Sequence, residues 1–75
     1  MDVNNLIMMA NQIGTFFESM PDRQRAVEDI ASHIRRFWDP RMRRAILESL
    51  DQQNDQGMSD IVREALSTHR QILTC

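Results

Sequence analysis

Lysine is missing from this chain, whose nine cationic side chains are all arginine. Arginine is the cation that tolerates interfaces and bidentate pairing with carboxylates, although a GC-rich coding sequence would give the same skew. Cysteine is nearly missing too. Cys75 stands alone at the last position, which excludes an internal disulfide and leaves poor material for a metal site. Glycine and proline number two each, and with a modest β-branched and aromatic content this favours helices over strands. The two glycines, Gly14 and Gly57, cannot make a phosphate-cradling loop. No run approaches the ~20 apolar residues of a membrane span. Asp2, where a secretory signal would begin with basic residues, argues for a cytoplasmic protein. The acidic side chains outnumber the basic ones, 11 against 9, for a net charge of −2, so no overall field draws the chain to nucleic acid.

What is present is a globular composition, 41% apolar and 27% charged over 75 residues. One domain, 1–75, is all that such a length supports. It buries only roughly 60% of its unfolded surface, and small domains of this kind draw extra stability from disulfides, metals or partners. With the first two excluded or disfavoured, a partner surface is the supplement to look for.

The apolar pattern predicts four short helices, at about 3–18, 22–37, 40–53 and 59–73, in an all-α bundle. In the first, Leu6, Met9, Ala10, Ile13, Phe16, Phe17 and Met20 share an arc of ~120°. Asn11, Gln12, Thr15 and Glu18 point away, and Gly14 sits on the flank, where a missing side chain permits close helix approach. Pro21 ends this helix. The second carries Ala26, Val27, Ile30, Ala31, Ile34 and Phe37 on its apolar face with Trp38 at the rim, and Arg25 and Asp29 at ion-pair spacing. Asp39-Pro40 is a helix restart, aspartate as cap and proline at the first helical position. The third helix buries Met42, Ile46, Leu50 and Leu47. After the polar turn Asn54-Asp55-Gln56-Gly57, Ser59 caps a fourth helix with Ile61, Val62, Ala65, Leu66, Ile72 and Leu73 inward.

Catalytic chemistry finds no footing in this pattern. His33 and His69 have no Cys, His, Asp or Glu companion at metal-ligand spacing, and each reads as a partly buried or interface residue. No catalytic, cofactor-binding or metal-binding residue is assigned. The segment that departs from a plain bundle is Arg35-Arg36-Phe37-Trp38-Asp39-Pro40-Arg41-Met42-Arg43-Arg44. Its bland reading is a solvated basic face beside a tryptophan that plugs the core. Its functional reading is a protein-docking patch of Arg36, Phe37, Trp38, Pro40, Arg41, Arg43 and Arg44, since tryptophan and arginine are enriched at interface hot spots. Asn11 and Gln12 are a second candidate contact. An arginine–aromatic cluster also suits stacked bases and phosphates, but Asp39 interrupts it. The six methionines fill irregular cores and also serve adaptable surfaces.

Two blocks, Met9-Ala10-Asn11-Gln12-Ile13-Gly14-Thr15-Phe16-Phe17 and His33-Ile34-Arg35-Arg36-Phe37-Trp38-Asp39-Pro40-Arg41-Met42-Arg43, carry a resemblance to the delta subunit of NAD-dependent formate dehydrogenase. It covers about residues 6–47, with Gly14 standing where such sequences are expected to have alanine. The resemblance implies a cytoplasmic multi-subunit complex. Its large subunit carries a molybdenum or tungsten pterin and iron–sulfur clusters, while other subunits carry flavin and bind NAD. It further implies that the delta chain binds none of these. It is a non-catalytic accessory subunit that supports assembly, cofactor maturation or stability of the large subunit, its partner. The alternative, from a different class, is a nucleic-acid-binding or regulatory helical module using Arg35–Arg44. Self-association of the isolated chain is a third expectation, since an orphaned docking face promotes it.

Overall fold

A computed structural model describes residues 2–74 and shows five helices: α1 (Val3–Glu18), α2 (Arg23–Phe37), α3 (Pro40–Asp51), α4 (Asp60–Thr68) and α5 (Arg70–Leu73). No strand occurs among the described residues. Three of the starts are fixed by aspartates. Asp2 accepts from the Asn4 N–H at 3.0 Å, Asp22 from Gln24 and Arg25, and Asp39 from Met42 at 3.0 Å, with Pro40 opening α3. Each satisfies a backbone donor that the first helical turn leaves without a partner.

The expected fourth helix is interrupted. At His69 the backbone turns to φ −110°, ψ 30°, which separates α4 from the single turn of α5. The break reorients the last turn so that Leu73 is buried and Ile72 is left 40% exposed, where one continuous apolar face was expected to bury both. Arg70 of α5 then pairs with Asp51 at the end of α3, Nη1 lying 2.9 Å from Oδ1.

α1 and α2 pack against each other, and α4 packs across both; α3 lies on α1, and α5 on α2. Ile30, Ile34, Ile46, Ile61, Val62 and Leu66 are the largest fully enclosed side chains. The closest approach is at Gly14. A Cβ there would stand 2.9 Å from Val62 Cγ2 and 3.2 Å from Ile61 Cγ2, so the missing side chain lets α1 settle onto α4. Gly14→Ala gains up to ~1 kcal/mol of helix propensity, yet overpacking costs about 1–3 kcal/mol, and the enclosed Val62 has nowhere to retreat. We expect a net loss of about 1 kcal/mol in denaturant melts, reversed in sign when the change is made in a Val62→Ala background. A gain in the wild-type background would show that α4 yields.

This approach also sets the rotation of α1. Its buried side is Leu6, Ile7, Ala10 and Gly14. Met9, Ile13, Phe17 and Met20 are only partly buried against the core. Phe16, expected in the apolar arc, is 74% exposed. Ile7 and Phe16 lie ~180° apart around a helix, so a core that takes one must release the other. Phe37, expected on the buried face of α2, is likewise 70% exposed at that helix's end.

Candidate partner-docking surface

The arginine–tryptophan corner is built from the C-terminus of α2 and the N-terminus of α3, and it divides into two groups. Trp38 is only 6% exposed and belongs to the core cluster. Its backbone N–H donates to the Ile34 carbonyl at 3.0 Å, closing α2. Arg43 is 4% exposed, and its Nη1 donates to the Arg35 carbonyl at 2.8 Å. That carbonyl lies in the last turn of α2, where the helix itself offers no partner. Both residues, expected on the docking patch, hold the corner together from within. The bland reading of the tryptophan as a core plug is the one the geometry supports.

Asn11 is also turned inward, contrary to its expected role as an outer contact. Its Nδ2 donates to the Gly57 carbonyl at 2.7 Å, and its Oδ1 accepts from the Ser59 N–H at 2.9 Å. One amide thus fastens α1 to the polar turn ahead of α4. Ser59 stands at the N-cap position of α4, but its hydroxyl makes no capping bond. The side chain of Asn11 serves the Ser59 backbone instead. In the same turn Arg63 bonds Asp55 at 2.8 Å and Asp60 at 3.1 Å. The hydrogen bond from Arg63 holds the Asp55 carboxyl below its ordinary range, and Asp55 reciprocally raises the guanidinium.

The outward group is Arg36, Phe37, Pro40, Arg41, Arg44 and Gln12, all exposed. The arginines divide in the same way. Arg23, Arg25, Arg63 and Arg70 each pair with a carboxylate, with Arg25 and Asp29 meeting at 3.6 Å as their spacing predicts. Arg35, Arg36, Arg41 and Arg44 form no ion pair among the described residues. The corner therefore concentrates arginines that form no ion pair among the described residues, with Asp39 as the one carboxylate within residues 35–44, on a chain whose total is negative.

Beside it lies a feature that periodicity did not separate from the core. Phe16, Phe17, His33 and Phe37 form a row of rings across α1 and α2. Phe16 meets Phe17 edge-on at 5.0 Å, Phe17 stands 6.2 Å from His33, and His33 is 4.7 Å from Phe37. Both ends of the row face solvent. A cleft of about 400 Å³ opens along it, lined by Met9, Gln12, Ile13, Phe16, Phe17, His33 and Trp38. Ile7 was the available signal. Once it is counted as core, the apolar positions of α1 exceed what one buried stripe holds, and Phe16 falls outside.

Among the described residues no group of three or more His, Cys, Asp or Glu is arranged to hold a metal ion. Cys75 lies outside the described residues. Among the described residues no helix is long and apolar enough to cross a membrane.

These features define a small all-helical protein with an open aromatic cleft flanked by uncompensated arginines. The chain belongs to the family described as "NADH-dependant formate dehydrogenase delta subunit FdsD", whose model matches residues 5–66. The match runs from α1 to Leu66 in α4, beyond the two blocks that carry the resemblance in the first two-thirds of the sequence. No curated protein and no solved structure matches the chain.

Proposed function

We propose that this chain is a non-catalytic accessory subunit of an NAD-dependent formate dehydrogenase, docking on the large molybdopterin subunit and supporting its assembly, cofactor maturation or stability in the cytoplasm. The observation that carries the reading is the family match over residues 5–66. The structure supports it with exposed apolar rings and unpaired arginines of the kind concentrated at protein interfaces. In this reading the pterin metal, iron–sulfur clusters, flavin and NAD all reside on other subunits, and formate oxidation belongs to the complex.

Expression of the complex with and without this chain tests the proposal. Omitting it is expected to lower the molybdenum or tungsten content and the yield of the large subunit several-fold. Adding the purified chain to finished enzyme should leave kcat unchanged. A complex that assembles fully loaded and fully active without the chain overturns the reading.

A further inference from the structure

Resting on that subunit reading, we propose that the cleft between α1 and α2 is the seat of a single amphipathic helix from a neighbouring subunit. An apolar side chain of that helix enters the cleft beside Phe16, another covers Phe37 at the far end of the ring row, and a carboxylate beside it meets Arg36. The docking centre therefore shifts from the indole, which the fold encloses, to the row of rings that the fold leaves open.

Three observations select this occupant. The first is the exposure of two phenylalanines on adjoining helices, joined through Phe17 and His33 into one apolar strip. Single exposed apolar residues are ordinary, but a contiguous strip marks an interaction site. A groove between two helices takes a third helix by interleaving side chains, with apolar anchors one turn apart.

The second is charge. The hollow adjoining the cleft is lined by Phe17, Asp29, Ser32, His33, Arg36 and Phe37. Asp29, the carboxylate among these lining residues, is engaged by Arg25. Arg36 has no ion-pair partner among the described residues. The free charge at the rim is thus positive, and Arg41 and Arg44 extend the same sign around the corner. The complementary surface carries carboxylates.

The third is symmetry. In a two-fold dimer the same patch faces itself. That would bring the Arg36 side chains of both copies into one interface, with no uncommitted carboxylate lining either hollow to answer them. A second copy fits the strip poorly, and an acidic helix from another subunit fits both its parts. Met9, with its flexible thioether in the cleft wall, lets the surface adapt to its guest.

The test is co-purification of the tagged chain with the other formate dehydrogenase subunits, expressed together. Phe16→Ser with Phe37→Ser should reduce retained subunits at least tenfold. Helical circular dichroism and melting temperature should stay near wild type, because both rings are already in water. Arg36→Glu should reduce retention several-fold, and Arg36→Lys should restore part of it. A photo-crosslinking side chain at position 16 should join this chain to another subunit. Retention of the double-serine variant at the wild-type level overturns the cleft proposal while leaving the subunit reading intact. A wild-type dimer that the same variant disperses, with subunit retention unchanged, assigns the cleft to a second copy and also overturns it. If even the wild-type chain retains no subunit, the subunit reading fails first and the cleft proposal with it.

Discussion

Trp38→Ala is expected to destabilise the whole domain rather than merely weaken a docking surface. Truncating an enclosed tryptophan costs about 3–5 kcal/mol, and a chain of this length has roughly 4–11 kcal/mol in total. Trp38 is 6% exposed, packs in the core cluster and lines the cleft. A cavity there loosens α1, α2 and the start of α3 together. At about 4–8 °C per kcal/mol for a domain this small, the melting midpoint should fall by roughly 15–30 °C. Trp38→Phe should lie between the two. Arg41→Ala is the matched control. Its side chain is exposed and forms no ion pair among the described residues, so its effect on stability should stay within about 0.5 kcal/mol. Thermal melts of the three variants decide the point. A Trp38→Ala protein that melts within a few degrees of wild type would show that the indole is not part of the core.

The Asn11→Ala substitution should produce the second-largest loss, about 2–3 kcal/mol. Two bonds disappear, the donor to the Gly57 carbonyl and the acceptor for the Ser59 N–H. The half-buried Ser59 N–H, at the N-terminus of α4, is left without its acceptor. An unsatisfied group of this kind costs about 1–3 kcal/mol by itself. Asn11→Asp retains an acceptor and puts negative charge near the helix N-terminus, which is favourable, but it offers no donor to Gly57. Its loss should be smaller than that of alanine. Hydrogen exchange gives a local readout. Amides of α4 and of the preceding turn should lose protection first, while the α2 core keeps it. Equal loss of protection along the whole chain would mean that Asn11 does not act through the turn.

The two substitutions bear on different parts of what could be read in advance. Helix existence was legible nearly throughout. Proline and aspartate fix the starts of α2 and α3 through local chemistry that involves no distant residue. The buried faces of α2 and α4 were legible for a related reason. Ala26, Val27, Ile30, Ala31 and Ile34, like Ile61, Val62, Ala65 and Leu66, are narrow stripes with one possible orientation. α1 is apolar over a wider arc, and sequence spacing alone accommodates several rotations of it. Nothing local prevents the helix from continuing through His69 either; packing of Leu73 into the core favours the break.

The candidate site was legible in composition and only partly in geometry. The arginine concentration between residues 35 and 44 and the motif blocks were plain in the sequence, and the family match agrees with the blocks. Whether each of those side chains faces out or in was not. Trp38 and Arg43 turn inward because the α2–α3 corner must fill a hollow and satisfy the Arg35 carbonyl. Asn11 turns inward because a polar turn 46 residues away needs fastening.

The sequence by itself therefore determined the all-helical class, the starts of α2 and α3 and the family, since these follow from neighbours along the chain or from residue identity. Tertiary structure alone decided which flank of α1 is buried, and so that Phe16 is exposed, just as the α2–α3 corner decided that Trp38 is enclosed and Phe37 is not. The reason is steric: at Gly14 a Cβ would stand only 2.9 Å from Val62 Cγ2 and 3.2 Å from Ile61 Cγ2, and the close approach that its absence allows turns Gly14 toward α4 and leaves Phe16 on the open side of the helix.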